Sequence, residues 1–315
     1  MVQLSRRLVM VGGLYTVATA KWASGQDRGT RRKFTMDLVG GAIGVGADQQ
    51  EAIRLAAAHG FESVAPNAAQ LARLSQEELH ALLADMKARG LVWGAAGMPV
   101  DFRRDEDAFV SSLRALPRVA KALQRAGVTR VGTWISPSHD ELTYLANFKQ
   151  HARRLAEAAA VLGDHGLHFG LGYVGTKMLW TSRRHPFVHT MAECRELIEA
   201  IGRPNVGLVL DSWHWYTAQE TVDDILSLTN RDVVACDLND APPGIAVENQ
   251  VDNRRELPAA TGVIDLKSFL EALVRIGYDG PVRAEPFNRD LNRLDNEPAV
   301  AATAEAMRKA FALIE

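Results

Sequence analysis

Eight short apolar runs alternate with eight amphipathic segments from residue 34 to the end of this chain, and no other feature limits its fold so strongly. The runs fall at 34–40, 61–65, 91–96, 130–135, 168–174, 206–210, 233–238 and 282–285. The segments between and after them carry helical spacing, at 49–59, 76–89, 106–126, 142–164, 189–201, 221–228, 266–276 and 298–314. Gly60, Gly90, Gly127, Gly166 and Gly277 close five of the helices, the usual signal of a helix C-terminus. Strands that alternate with helices imply a parallel sheet covered on both faces. Eight such units predict closure into a single-domain α/β structure, the (β/α)8 or TIM barrel. An open doubly wound sheet is the rival, but no G-x-G-x-x-G follows the first run. The stretch Gly40-Gly41-Ala42-Ile43-Gly44 reads as a turn rather than a phosphate cradle.

The chain divides at residue 33. Residues 34–315 are assigned to the barrel, and 1–33 to an export signal or a disordered extension. Ser5-Arg6-Arg7, the weakly apolar run 8–17 and Ala18-Thr19-Ala20 form the expected signal. The paired arginines point to the twin-arginine route, hence to a periplasmic or exported protein, with a cytoplasmic one as the alternative. A formal net charge of −2 provides no basic face for nucleic acid. Nothing in the mature sequence is long and apolar enough to span a membrane. Two cysteines, Cys194 and Cys236, are too few for a disulfide framework.

Chemistry is expected where the strands end, because a barrel of this kind carries its site at the C-terminal ends of its strands. The run GLVLDSWHWY ends in Asp211, with His214 three residues on. VVACDLNDAP carries Asp237 and Asp240, and PVRAEPFN carries Glu285. Side chains alternate along a strand, so Asp237 shares the inward face with Asn239, while Cys236 points to the helices. Asp211, Asp237 and Glu285 are therefore candidate ligands of one divalent ion. Carboxylate oxygens favour Mn2+ or Mg2+, with Co2+ also open, over zinc.

His214 is a candidate substrate contact, with metal ligation and loop packing as alternatives. Trp134, Trp213, Trp215, Tyr173 and Trp180 all fall near strand ends, where ring faces suit the C–H side of a sugar or simply fill the core. Lys177 and His139 lie on loops and are candidates for proton exchange or substrate contact. The connection 241–265 is polar and long, as lids and contact loops are. It offers Arg254 and Arg255 to a substrate.

The segments GLVLDSWHW, DLNDAP and RAEPFN resemble the xylose isomerase-like barrel superfamily, broadly the sugar phosphate isomerases and epimerases. The likeness extends to AIGVGADQQEAIRLAAAHGFESVAP and LHFGLGYVGTK, and so covers about residues 33–315. It implies a metal aspartate at Asp211 and a substrate-binding histidine at His214. It also implies a glutamate at Glu285 that both ligates metal and transfers protons. Two positions depart from the pattern. The family's usual strand-7 histidine is Asp237 here, and its strand-5 glutamate, one of two opposed acid–bases, is Gly172.

The expected function is thus a metal-dependent isomerase or epimerase that forms an enolate-like species beside the carbonyl of a keto-sugar or polyol. Glu285, His214 and Lys177 are its catalytic candidates. The alternatives are a lyase or dehydratase acting on an oxidised (3-keto) glycoside or inosose, and a non-catalytic sugar-binding barrel. The expected partner is a small carbohydrate, and the resemblance implies a homo-oligomer. A metal-dependent endonuclease is disfavoured, since the chain shows neither a His-rich ligand set nor a basic stripe.

Overall fold

A computed structural model describes residues 32–315. The paired arginines and apolar run of the expected export signal lie outside the described residues. Among the described residues eleven strands occur: β1 (Thr35–Leu38), β2 (Ser63–Val64), β3 (Val92–Trp93), β4 (Ala96–Gly97), β5 (Arg130–Trp134), β6 (Ser138–His139), β7 (His168–Gly172), β8 (His185–Pro186), β9 (Val206–Asp211), β10 (Val233–Leu238) and β11 (Pro281–Ala284). Nine of them form one sheet in the order β3-β2-β1-β11-β10-β9-β7-β5-β4. Every pairing within it is parallel.

The two ends of that order are two halves of one strand. Only Gly94 and Ala95 separate β3 from β4; β3 pairs with β2, and β4 pairs with β5. The expected third strand is therefore split, and its two halves close the sheet into the eight-stranded barrel. A Cβ at Gly94 would overlap the carboxylate of Asp37 on β1, so the strand passes that point as glycine. The remaining strands, β6 and β8, form a short antiparallel ribbon outside the barrel sheet.

All eight expected helices form, at Gln49–Ala58, Gln76–Ala88, Glu106–Arg125, Tyr144–Asp164, Met191–Ile201, Val222–Leu226, Leu266–Arg275 and Asn296–Phe311. Their starts are set by capping side chains. Thr143 caps the fourth, and capping boxes at Ser75 and Thr190 begin the second and fifth. Pro298 lies inside the first turn of the last helix rather than at its start, a place where a missing N–H costs nothing. The apolar faces of these helices pack on the outside of the sheet in one continuous core. Inside the barrel the apolar filling is small, with Ala95, Val209 and Ala235 forming a separate cluster.

Several short elements were not expected, and two features at the strand ends bear on the site. The residues after β9 form a short helix, Ser212–Thr217, which Asp211 caps by accepting the Trp213 N–H at 2.8 Å. The long connection is pinned at its base by Asp240, whose carboxylate accepts the N–H groups of Ala241, Thr261, Gly262 and Ile264. An antiparallel bridge between Asp240 and Glu256 then turns the neighbouring Arg255 inward. No helix among the described residues is long and apolar enough to cross a membrane.

Candidate active site

Strand register builds a polar layer across the C-terminal half of the barrel. Ser63 on β2 stands opposite Asp37 on β1, Asp37 opposite Arg283 on β11, Arg283 opposite Asp237 on β10, and Asp237 opposite Asp211 on β9. Glu285 follows β11 directly. Asp211, Asp237 and Glu285 each bring a carboxylate oxygen within 4.8 Å of the other two. The three strand-end acids therefore converge as their spacing implied.

Two guanidiniums share these carboxylates. Arg283 grips Asp237 with its fork, Nε to Oδ1 and Nη2 to Oδ2, the second at 2.9 Å. Arg255 reaches in from the long connection. Its Nη1 lies 3.0 Å from Asp211 Oδ2 and 3.2 Å from Glu285 Oε2, and its Nη2 lies 2.9 Å from Asp252 Oδ1. Asp252 also accepts from the Thr176 hydroxyl at 3.1 Å, and Thr176 in turn accepts the indole N–H of Trp213 at 2.8 Å. Asn239, on the inward face with Asp237, donates to Asp211 Oδ1 at 2.8 Å.

His214 is buried beside this cluster, with Nε2 3.5 Å from Asp211 Oδ2. The Gly175 N–H points at its Nδ1 at 3.2 Å. A backbone N–H can only donate, so Nδ1 accepts there, while Nε2 faces both the Arg255 guanidinium at 3.3 Å and the Asp211 carboxylate. Burial lowers the pKa of this imidazole, which keeps it neutral.

Burial acts on the acids in the opposite sense. Glu285 is pushed well above the usual carboxylate range by burial, then by Asp237 and Asp211, with Arg255 opposing. Asp237 is likewise raised by burial against the pull of Arg283. Burial would also raise Asp252, yet the Arg255 guanidinium, with the Thr176 hydroxyl, holds it below its ordinary value.

The cluster forms the floor of a cavity of about 430 Å³. That is the size of a small-molecule site. Asp211, Asp237, Glu285, His214 and Arg255 line it, and Trp134, 53% exposed, stands at its wall. Val174, Leu179 and Phe287 supply apolar surface there.

The other expected contacts are placed elsewhere. Trp213 is fully buried, with the Arg255 guanidinium 5.3 Å above its ring, so it supports that arginine from behind. Lys177 is exposed at the start of a short helix, Lys177–Trp180, and Arg254 is exposed on the long connection. The His139 Nδ1 accepts from the Glu141 and Leu142 N–H groups and so holds its own turn. None of these four residues lines the cavity.

Three site residues were overlooked in the sequence, and for two of them a signal existed. Arg283 stands two residues before Glu285 and lies on the inward face by strand alternation. Asp37 is a carboxylate in the apolar run FTMDLVG, the same design as the three acids that were read. Asp252 carried no such signal, because loop side chains have no period.

Gly172 lines the cavity at the end of β7. A Cβ there would meet only the Thr133 carbonyl at 3.5 Å and Val209 atoms at 3.6 and 3.7 Å, all ordinary contacts. The position is open rather than filled by a substitute.

Donor chemistry and charge both fit a divalent ion. The three converging groups are hard oxygen donors. Asp211, Asp237, Asp252 and Glu285 face only Arg255 and Arg283, which leaves two negative charges uncompensated when all four are ionised.

Comparison with known proteins agrees with this geometry. The family description "xylose isomerase-like TIM barrel" matches residues 53–310. A xylose isomerase domain protein of Alicyclobacillus acidocaldarius, of known structure, is 34% identical with a TM-score of 0.76, over 86% of this chain and 96% of that one. The inosose isomerase of Bacillus velezensis is 28% identical over 162 residues, 50% of this chain and 53% of that protein. The ketose 3-epimerase of Arthrobacter globiformis is 30% identical over 158 residues, 48% of this chain and 46% of that protein. The chain thus spans about half the length of the curated relatives it matches.

Proposed function

The chain belongs to the xylose isomerase-like TIM barrel family, and from that premise we propose that it is a sugar isomerase or epimerase-type enzyme. It would act on a keto-sugar or polyol by moving a proton beside the carbonyl. Asp211, Asp237 and Glu285 would hold a divalent ion, Mn2+ or Mg2+, with Co2+ as a third choice. The observation that carries this reading is the meeting of three carboxylates and a neutral histidine on the floor of one cavity. The isomerase and epimerase relatives support it.

A divalent ion bound there supplies Lewis acidity, acidifying the C–H next to a chelated carbonyl. Glu285 takes and returns the proton. His214 contacts a substrate oxygen, its ring orientation fixed by Gly175, Arg255 and Asp211. Arg255 holds Asp211, Glu285 and Asp252 in one arrangement. The Trp134 ring takes the C–H face of the sugar.

Gly172 favours a second reading, β-elimination from an oxidised glycoside or inosose. Epimerisation needs proton transfer at both faces of the carbon, whereas elimination starts with one base, and Gly172 removes the opposed carboxylate. Both readings begin with the same C–H ionisation.

Deuterium uptake from D2O by candidate ketoses, inososes and 3-keto-glycosides tests that step directly. With Mn2+ present, wild type is expected to exchange the proton, and Glu285→Gln to exchange it at least about 100-fold more slowly with the fold intact. The product, isomer or unsaturated sugar, separates the two readings. An equally active Glu285→Gln would place the base elsewhere.

A further inference from the structure

Arg283 has an acid on each side and is paired with only one of them. Its register partners are Asp237 on β10 and Asp37 on β1. The guanidinium fork is committed to Asp237. Asp37 is 1% exposed, and neither of its carboxylate oxygens has a hydrogen-bond partner. Gly94 leaves the room that this carboxylate occupies. A buried carboxyl with no partner is costly and is seldom kept for packing alone. The charged or titratable groups that act on it are Arg283, Asp237 and Tyr278; its β2 neighbour Ser63 is uncharged, and its hydroxyl, paired with Thr35 at 2.8 Å, draws the Asp37 pKa down against burial. Burial pushes it up to about 7, so it stays largely protonated at slightly acid pH.

The layer therefore contains one guanidinium and two seats for it. We propose that Arg283 is a two-position cation, which holds Asp237 while the acid cluster is without an ion and transfers to Asp37 when a divalent cation engages Asp237. This rests on the divalent-ion reading given above. The Arg283 fork takes both Asp237 oxygens, so a cation engages Asp237 only as the fork lets go, whereas Arg255 takes one oxygen each of Asp211 and Glu285. The other carboxylate in register with Arg283 is Asp37, one strand away on the opposite side. As the guanidinium arrives, the Asp37 carboxyl loses its proton to solvent and the new ion pair is neutral. The cation takes over the charge that Arg283 had balanced at Asp237. One proton is released for each ion bound, and ion affinity is set partly by how firmly Arg283 holds Asp237.

Calorimetric titration of Mn2+ into the full chain, in two buffers of different protonation enthalpy at slightly acid pH, reads affinity and proton release together. Asp37→Asn is expected to release about one proton fewer per ion than wild type and to bind Mn2+ about tenfold more weakly. Protons from other groups cancel in that difference. Arg283→Gln is expected to bind about tenfold more tightly or better, since no guanidinium competes. If Arg283→Gln does not fold, Asp37→Asn carries the test, because it keeps the Arg283–Asp237 pair and changes only the second seat. Unchanged proton release and affinity in Asp37→Asn would overturn the proposal while leaving the metal reading in place. So would Arg283→Gln binding no more tightly than wild type. Absence of Mn2+ binding in wild type and both variants would overturn the metal reading and this proposal with it.

Discussion

Gly172 and Asp37 are the residues where this site departs most from a plain carboxylate cluster. The free space around the Gly172 Cβ position allows a side chain to enter the cavity without displacing backbone. Gly172→Glu is therefore expected to fold and, by adding a fourth oxygen donor, to bind Mn2+ about tenfold more tightly in a calorimetric titration. A folded variant that binds no better would mean that this strand position does not face the ion. Asp37 makes a separate prediction about stability. Its carboxyl sits at about 7 in the folded protein against an ordinary 3.8, so the folded state holds the proton more tightly. The stabilisation is complete below 3.8 and is lost as pH rises through about 7, by roughly 4 kcal/mol. Asp37→Asn should remove that loss, raising Tm at pH 8 relative to wild type and leaving the two similar near pH 4. A wild-type Tm equal to that of the variant across the range would show Asp37 to be well solvated or paired. Asp211, Asp237 and Glu285 were legible in the sequence because each ends an apolar strand, where period and burial fix the direction of the side chain. Arg283 and Asp37 obey the same rule, but a charge inside an apolar run reads first as an interruption of it. Lys177, His139 and Arg254 were chosen by residue type and by their place after the strand ends, and none of the three lines the cavity.

The long connection shows how an irregular segment can deliver a site residue as firmly as a strand does. Asp240 accepts four N–H groups from both ends of it, and the Asp240–Glu256 bridge sets the inward turn at Arg255. Asp240→Ala would strand those donors at the base of the segment. The expected cost is about 3 kcal/mol of stability by chemical denaturation, with weaker substrate binding because Arg255 is no longer held over Asp211 and Glu285. Unchanged stability would mean that the segment is held by its other contacts. The regular elements were read from periodicity with little error, since eight apolar runs and eight amphipathic segments each became strand or helix. What periodicity could not show was the break in the third strand at Gly94 and Ala95, or that the Asp37 carboxylate occupies the space a Cβ at Gly94 would need. Nor could it show the helix Ser212–Thr217, which is too short for an apolar stripe and depends on the Asp211 cap.

At the scale of the molecule, chemistry and packing are divided between the two sides of the sheet. The main apolar core lies between strands and helices, while the barrel interior holds a small Ala95–Val209–Ala235 cluster beneath the layer of acids and arginines. Helix packing therefore stabilises the barrel without crowding the cavity, and the layer can carry buried charge because its ions are paired strand to strand. The fold was recoverable from sequence because this architecture repeats a simple unit. The balance of charge at its centre was not, because it depends on which strands become neighbours after closure. The central claim is that Asp211, Asp237 and Glu285 together form a divalent-ion site. Equilibrium dialysis of the purified protein against Mn2+, followed by elemental analysis beside Asp211→Ala, tests it most directly. The account predicts about one ion per chain in wild type and none in the folded variant. No bound ion in wild type at millimolar Mn2+, or full retention in Asp211→Ala, would contradict it.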